Sequence, residues 1–417
     1  VPQRARNTLR PAMPLPNVVI VGAGVTGSML AMLVKEMGLP VRVLEKSRSA
    51  GGRMATRELR GGAGGDKVAG RADLGAQYIT TRSPPEHAVL GPVYRDLETA
   101  GVLRPFSGEV AGPNPYGGAG AEVRHFSAPA GLQSVAQRFL DRSGARVQYE
   151  RALSALELLP GGGLRLDVAS GGGAPAALDA EGGVDAPTVV VLTQPVPQVL
   201  GRSRFPVSGN FLERLDGDTS AALAKVEYSS RFAAAYFFNA EDFAWKETWT
   251  ARYFERGDVR YVAHDTGKRG AGLDESMVSV LVHSGVPLGI EFKDDVAPFD
   301  RAAARLLEDL QQKLPGVPWD KAASVKVHKW LYSQVYKGIG AKRPAPDWTW
   351  DSGDGGFPGC AELFRTERAL GLLAGDAMAP ASNFEGCVFS AHRAAEAIKA
   401  YADALAATAA PPGGGEG

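Results

Sequence analysis

A glycine-rich turn near the start of the chain constrains the fold more than any other feature. Residues 18–21 form a short apolar, β-branched run that is typical of a buried parallel strand. Gly22, Gly24 and Gly27 follow in the spacing G-x-G-x-x-G. The first allows a tight turn, the second lets the backbone approach a pyrophosphate, and the third lets a helix pack on the strand. A helix is expected over 28–37, and its start offers free N–H groups and a positive dipole end to phosphates. The pattern predicts a dinucleotide-binding βαβ unit.

An acidic residue closes the second predicted strand, 41–45. Glu45 lies about 20 residues beyond the turn, where a carboxylate can accept a hydrogen bond from a ribose hydroxyl. An acid at this position, rather than an arginine, argues against a ribose 2′-phosphate and fits NAD or the adenosine ribose of FAD. Lys46 follows directly and is expected to contact the same cofactor.

A second glycine-containing turn favours FAD over NAD. Gly51, Gly52 and Arg53 would return the chain towards the bound phosphates, and arginine suits bidentate contact with phosphate better than lysine. This turn is usual in flavoproteins of the amine oxidase and p-hydroxybenzoate hydroxylase type and unusual in NAD dehydrogenases.

Length and charge narrow the class of protein further. The chain has 417 residues, which is enough for two domains. It carries 46 Lys and Arg and 46 Asp and Glu, so its net charge is zero and does not indicate nucleic-acid binding. The two cysteines, Cys360 and Cys387, imply no disulfide framework, and no apolar run is long enough for a membrane span.

The first sixteen residues bear on localisation. They contain Arg4, Arg6 and Arg10 and no acid, which fits the remnant of a chloroplast or mitochondrial transit peptide. A disordered tail on a cytoplasmic protein fits equally well.

The remaining pattern predicts an α/β fold: a Rossmann-like FAD-binding domain and an antiparallel-sheet substrate domain, as in p-hydroxybenzoate hydroxylase. Residues 226–238, 251–262 and 277–286 are rich in β-branched and aromatic side chains and predict an antiparallel sheet, and 299–314 predicts an amphipathic helix. Residues 61–70 are expected to be a flexible loop. The expected boundaries are disordered tails at 1–16 and 405–417, FAD-binding parts at 17–82, 127–200 and 325–404, and substrate-domain parts at 83–126 and 201–324.

The C-terminal part is expected to complete the cofactor site. A predicted strand over 369–374 ends in Gly375-Asp376, which would place Asp376 beside the ribityl chain. Asn383 and Phe384 lead into a helix whose positive N-terminus, near Gly386, could stabilise negative charge on a reduced flavin.

Several segments resemble the renalase family in matching order along nearly the whole chain. They are IVGAGVTGS from Ile20, GGRMAT from Gly51, ADLGAQYIT from Ala72, GVLRP from Gly101, LTQPVP from Leu192, YSSRFA from Tyr228, VHSGVPLG from Val282, SQV from Ser333 and SNFEGC from Ser382. The sequence departs from the family at Ala55, where Thr is common, and in a longer loop over 337–354.

The resemblance implies a reaction and a set of site residues. Renalases oxidise the 2- and 6-dihydro isomers of NAD(P)H to β-NAD(P)⁺ by hydride transfer to flavin N5, and O₂ is reduced to H₂O₂. The implied partners are FAD, a dinucleotide substrate and O₂, and we expect a monomer. By motif, the FAD contacts are Thr26, Arg53, Gln77 and Tyr78. His283 and Arg231 are placed in the substrate domain, and Trp330 and Gln334 near the flavin.

Each of these side chains also has an ordinary structural interpretation. His283 could donate to a substrate amide or phosphate, or could be a hydrogen-bonded core histidine. Arg231 could bind phosphate, although pairing with an acid between the domains is slightly favoured, and Tyr78 could be a ring wall or a core aromatic. Cys387 is interpreted as packing rather than as a flavin attachment site.

Two other functions remain open. Amine oxidases of this fold often carry a lysine that holds a water near flavin N5, and Lys329 is the candidate. On an extended strand, however, its side chain would point away from that of Trp330. The third possibility is a flavin-binding signalling protein without catalysis.

Overall fold

The structure is a computed structural model that describes residues 15–61, 67–114, 123–170, 173–178, 186–203 and 206–409. Its helices are α1 (Val25–Glu36), α2 (Leu90–Thr99), α3 (Gln133–Ser143), α4 (Val196–Val199), α5 (Gly217–Ala224), α6 (Asp265–Lys268), α7 (Val286–Glu291), α8 (Phe299–Lys313) and α9 (Phe384–Ala409). Its strands are β1 (Asn17–Val21), β2 (Val41–Leu44), β3 (Thr56–Gly61), β4 (Lys67–Asp73), β5 (Ile79–Thr81), β6 (Arg104–Pro105), β7 (Val110–Ala111), β8 (Arg124–Ser127), β9 (Arg146–Gln148), β10 (Arg151–Leu158), β11 (Leu164–Ser170), β12 (Ala176–Ala177), β13 (Thr188–Leu192), β14 (Glu227–Asn239), β15 (Ala251–Tyr253), β16 (Val259–His264), β17 (Met277–Ser284), β18 (Ser324–Lys337), β19 (Cys360–Arg365) and β20 (Ala369–Ala374).

The first sheet is the dinucleotide-binding one. Its strand order is β19-β20-β13-β1-β2-β9, and every neighbouring pair is parallel except β19 with β20. Helices α1, α3 and α9 cover one face with a continuous apolar core, and the β10–β11 hairpin contributes to the core on the other face. Because β1 is buried on both faces, its uninterrupted apolar run is what a central parallel strand requires.

The second sheet has the order β18-β14-β17-β16-β15-β7. Neighbouring strands pair antiparallel except β15 with β7. Helix α8 packs Ala302, Leu306 and Leu310 into the core on one face of this sheet. The antiparallel strands and the amphipathic helix predicted for this part are therefore present.

Four boundaries differ from the sequence-based expectations. The segment 61–70 was expected to be a loop, but Lys67–Asp73 pairs with Thr56–Gly61 as an antiparallel hairpin, and 62–66 lie outside the described residues. Residues from 325 were assigned to the FAD-binding part, whereas β18 pairs with β14 in the second sheet. Helix α2 was assigned to the substrate domain, but its apolar side packs with α1 and α3.

The fourth difference is at the C-terminus. Helix α9 continues to Ala409, into the segment 405–417 that was expected to be disordered. Leu405 explains the extension, because its side chain is buried in the core of the first sheet. The predicted tail 1–16 lies outside the described residues except for its last two positions. Across the described ranges, none of the helices combines the length and apolar character that a bilayer crossing needs.

Candidate functional site

A large cavity lies between the carboxyl ends of the parallel strands and the antiparallel sheet. Its volume is about 1090 Å³, which is slightly above the range of roughly 300–1,000 Å³ that is typical of ligand sites. Every residue that the sequence predicted for the site, apart from Gly27, lines this cavity: Gly22, Gly24, Thr26, Glu45, Lys46, Gly52, Arg53, Gln77, Tyr78, Arg231, His283, Trp330, Gln334, Asp376, Asn383 and Phe384.

The glycine-rich turn shows why its glycines are spaced as they are. Gly22 has φ +110°, a conformation that side chains rarely adopt. A Cβ on Gly27 would lie 2.0 Å from the Gly22 carbonyl oxygen, so only glycine lets α1 approach the turn. A Cβ on Gly24 would meet nothing within 4 Å, which leaves open space in the cavity beside the backbone. Helix α1 starts at Val25, three residues earlier than predicted, and no side chain caps it.

The Glu45 carboxylate is fixed by the backbone around it. One oxygen accepts from the Ala23 N–H at 2.8 Å and the other from the Ser47 N–H at 2.8 Å. The side chain is buried, yet it lines the cavity. Since each oxygen has two lone pairs, the carboxylate can still accept from a ribose.

The G-G-R turn packs directly against the glycine-rich turn. The Gly51 N–H donates to the Ala23 carbonyl at 2.8 Å, and a Cβ on Gly52 would lie 3.3 Å from the Cα of Gly24. This approach brings Arg53 to the cavity wall. The turn formed by Gly51, Gly52 and Arg53 therefore lies against the glycine-rich turn, as the sequence predicted.

Arg53 makes a contact that its predicted phosphate role did not include. Its Nη1 and Nη2 donate to the two carboxylate oxygens of Asp376 at 2.8 and 2.6 Å. Ser382 Oγ also donates to Asp376, at 2.6 Å. Burial lowers the pKa of Arg53, but the charge and hydrogen bonds of Asp376, with contributions from Tyr228 and Cys387, together outweigh burial, so the net pKa is above its usual range. Asp376 occupies the Nη1–Nη2 edge of the guanidinium, and a cofactor phosphate could be reached through the Nε edge.

A chain of polar side chains crosses the roof of the cavity. Gln77 Nε2 lies 2.9 Å from His283 Nδ1, and Gln77 Oε1 accepts from the Tyr253 hydroxyl at 2.9 Å. The Tyr253 hydroxyl lies 3.0 Å from that of Tyr78, which donates to Asn114 at 3.3 Å. With the Gln77 amide donating to Nδ1, the proton of a neutral His283 is on Nε2.

His283 is held neutral by its surroundings. Burial and, to a lesser extent, the charges of Arg231 and Lys268 lower its pKa to about 3, against an opposing effect of the Leu74 carbonyl. Its Nε2 makes no direct hydrogen bond within the part of the chain that the structure describes. The imidazole is therefore suited to donate a hydrogen bond rather than to carry a proton at neutral pH.

Strand β18 supplies the opposite wall. The Trp330 indole N–H donates to the Leu74 carbonyl at 2.8 Å, and its ring lies edge-on to His328 at 4.2 Å between centroids. The Lys329 ammonium is directed elsewhere, donating to carbonyls of Phe292 and Lys293 at 2.5 and 2.7 Å. Trp330 and Lys329 therefore contact different segments, as the alternation of side chains along a strand predicts, although both residues line the cavity.

The start of α9 forms the far end of the cavity. Asn383 Oδ1 accepts from the Gly386 N–H at 2.8 Å and so caps the helix. The Phe384 ring is buried and stacks with Phe139, so only its backbone is available to a cofactor. Burial raises the pKa of Cys387 to about 12, which keeps it a thiol and agrees with a packing role.

No role was predicted from the sequence for the acid at this helix start, although the acid lies within the SNFEGC segment. Glu385 is buried and lines the cavity, and its carboxyl accepts from Thr81 at 2.6 Å and Tyr94 at 3.1 Å. Burial raises its pKa. Its partners lie about 300 positions away, so no local pattern could reveal them.

A buried ionic network behind the roof was also missed. Lys268 Nζ lies 2.6 Å from Asp265 and 3.0 Å from Asp73, with all three side chains almost fully buried. The same ammonium donates to the Gln77 carbonyl at 2.6 Å, which fixes the segment that carries Gln77. The available signal was the pair of opposite charges, Asp265 and Lys268, spaced three residues apart directly after β16.

Comparisons with known proteins agree with this architecture. Residues 20–95 match the family described as NAD(P)-binding Rossmann-like domain. Mouse (Mus musculus) renalase is 28% identical over 388 residues, covering 92% of this chain and 99% of the mouse protein. A shorter match is 45% identical over 65 residues to lysine-specific histone demethylase 1 homolog 1 of Arabidopsis thaliana, covering 16% of this chain and 7% of that protein.

Solved structures show the same fold at low identity. An engineered putrescine oxidase superposes with a TM-score of 0.58 at 13% identity, covering 92% of this chain and 98% of that one. Cyclohexylamine oxidase from Brevibacterium oxydans gives a TM-score of 0.57 at 13% identity, with 94% and 100% coverage.

The chain has the fold of the amine oxidases of known structure, so the expected fold class is confirmed, and the Rossmann-like segment supports the expected FAD cofactor. The chain is also similar to renalase along almost its whole length, and the resemblance seen in its motifs is confirmed.

Proposed function

We propose that this chain is a renalase-type oxidase that converts the 2- and 6-dihydro isomers of NAD(P)H to β-NAD(P)⁺. The observation that carries the proposal is the convergence of the renalase-like motifs, which lie far apart in sequence, on one cavity. Thr26, Arg53 and Gln77 come from the first part of the chain, and His283 and Trp330 from the last. When bound, FAD accepts a hydride at N5 and passes the electrons to O₂, which gives H₂O₂.

The residues present fit FAD. The open space beside Gly24 and the uncapped start of α1 suit the pyrophosphate, and the Glu45 carboxylate suits the adenosine ribose. Arg53 and Asp376 would hold the middle of the cofactor. The start of α9, capped by Asn383, would face the pyrimidine end with the positive end of its dipole.

The chain's own contribution to the reaction is positioning. Hydride transfer needs no side-chain acid or base, but orienting donor and acceptor can contribute several kcal/mol to lowering the barrier. We infer that His283 donates to a substrate amide or phosphate; Gln77 holds its ring at Nδ1, and the buried Nε2 must become exposed for this contact. Arg231 lines the same chamber, with its Nη1 donating to the Ser284 carbonyl at 3.2 Å. Trp330 forms a flat wall against which a nicotinamide ring can lie.

An amine oxidase is the alternative that the structural neighbours raise. Its supporting residue would be Lys329, whose ammonium is occupied by backbone carbonyls at 2.5 to 3.2 Å. Arg231 and the donor nitrogen of His283 also offer poor surroundings for an ammonium substrate. We therefore favour the dihydronicotinamide substrate.

Rapid mixing under anaerobic conditions separates the two. We expect 6-dihydroNAD to bleach the flavin absorbance of the holoprotein within about a second, in keeping with ordinary enzyme turnover. Monoamines should leave the absorbance unchanged. Bleaching by a monoamine and not by any dihydronicotinamide would replace the proposal with an amine oxidase, and a protein that cannot be loaded with FAD would point to a non-catalytic role.

A further inference from the structure

The loop that follows β18 forms part of the cavity wall. We call residues 338–356 the mouth loop. Arg343, Pro344, Pro346 and Trp348 of this loop line the cavity. It overlaps the loop over 337–354 that, judged from the sequence, is longer than is usual in the renalase family.

The mouth loop is fixed in place. The Ala345 N–H donates to the Pro380 carbonyl at 2.8 Å, and the Trp348 indole donates to the Gly353 carbonyl at 2.8 Å. The Trp348 ring is buried against Phe389, with 5.6 Å between centroids. Such anchoring gives the loop's cavity-facing residues a defined position.

Arg343 is the exposed cation of this wall. Its Nη2 donates to the Tyr336 hydroxyl at 3.0 Å, and its guanidinium carbon lies 5.1 Å from the Tyr336 ring centroid. Stacking on the Tyr336 ring and the hydrogen bond that Arg343 donates to the Tyr336 hydroxyl restrict the orientation of the guanidinium. Within the described ranges, no carboxylate lies at ion-pair distance from Arg343.

The neighbouring Lys337 differs from Arg343 because it has an acidic partner. Lys337 Nζ lies 6.0 Å from the same Tyr336 ring, but it pairs with Glu227 at 2.8 Å. Lys337 is also absent from the cavity wall. Of the two cations beside Tyr336, therefore, only Arg343 presents uncompensated charge to the cavity.

We propose that Arg343 binds a phosphate of the dinucleotide substrate and so makes the enzyme prefer dinucleotides over the corresponding nucleoside. This inference rests on the proposed function. The glycine-rich turn and α1 already offer a site for the cofactor pyrophosphate, and the substrate carries a second one. A guanidinium oriented by an aromatic ring is suited to phosphate, which it can contact through two parallel N–H groups.

The test compares Arg343→Gln with Lys337→Gln as the matched control. For each holoprotein, anaerobic flavin reduction is followed against concentration of 6-dihydroNAD and of 6-dihydronicotinamide riboside, which has no phosphate. We expect Arg343→Gln to raise the Kd for the dinucleotide about tenfold or more, as loss of a charge-assisted hydrogen bond does. The limiting reduction rate and the Kd of the riboside should not change, and Lys337→Gln should match the wild type.

Calorimetric titration with β-NAD⁺, the expected product, gives a readout that is independent of turnover. Weaker binding by Arg343→Gln alone supports the site. Equal Kd values in the variant and the wild type, no measurable binding of β-NAD⁺ by the wild type, or an equal loss of riboside and dinucleotide affinity would overturn it. Wild-type flavin that no dihydronicotinamide reduces would instead contradict the proposed function, and the calorimetry would still decide the role of Arg343.

Discussion

At the scale of single residues, the ion pair between Arg53 and Asp376 is the contact that differs most from the sequence-based expectations. Both residues were assigned to the cofactor from separate motifs 323 positions apart. The structure shows that they also form an ion pair with each other. Each therefore keeps the other's charge compensated in a largely enclosed site.

We predict that Arg53→Ala weakens FAD retention. The substitution removes a phosphate donor and leaves the Asp376 carboxylate, whose side chain is 5% exposed, without its cation. Flavin content after gel filtration, measured as the ratio of flavin to protein absorbance, should fall severalfold. Arg48→Ala is the control, since Arg48 is 90% exposed and forms a surface pair with Glu150. Full flavin content in Arg53→Ala would refute the role.

We predict that His283→Ala raises KM for a dihydronicotinamide substrate more than it lowers the limiting rate of flavin reduction. The reason is that a neutral imidazole donor binds the substrate without transferring a proton. With a folded pKa of about 3, the residue stays neutral from pH 5 to 9 and adds no inflection to the rate there. Stopped-flow titration over this pH range measures both quantities, and a collapsed limiting rate with unchanged KM would assign His283 a chemical role.

At the scale of secondary-structure elements, the β1–turn–α1 unit positions the cofactor site. The turn works only if α1 can press against it, and the missing side chain of Gly27 allows this. The sequence was sufficient to predict this unit, because its signals are local: an apolar strand, three spaced glycines and a following helix.

We predict that Gly27→Ala destabilises the fold and lowers FAD affinity together. A Cβ 2.0 Å from the Gly22 oxygen must displace the helix or the turn, and overpacking of this kind costs about 1–3 kcal/mol. Gly316→Ala is the matched control, because its Cβ would meet nothing within 4 Å. Urea unfolding and FAD titration measure the two effects, and equal behaviour of the two variants would contradict the close-packing argument.

Other elements could not be predicted from their own residues. Strand β18 was recognised as a strand, but its sheet is decided by its partner β14, with which it shares register over most of its length. The Lys268–Asp73–Asp265 contacts and the acceptor site at Glu385 join segments nearly 200 and 300 positions apart. The position of the mouth loop likewise depends on contacts with Pro380 and Phe389.

At the scale of the whole molecule, two sheets of different kinds enclose one cavity of about 1090 Å³. The parallel sheet presents strand ends and helix starts, which suit a dinucleotide cofactor. The antiparallel sheet presents His283, Arg231 and Trp330, which suit a second, flat and polar ligand. The buried Lys268 network lies behind the roof and joins the Gln77 segment to α6 and to the end of β4.

A crystal structure of the holoprotein with β-NAD⁺ tests this arrangement most directly. The account predicts the flavin pyrophosphate at the turn of Gly22 to Gly27 and the nicotinamide ring stacked on the flavin, within reach of His283 and Trp330. A cavity closed by side chains, or a cofactor bound away from the glycine-rich turn, would contradict it.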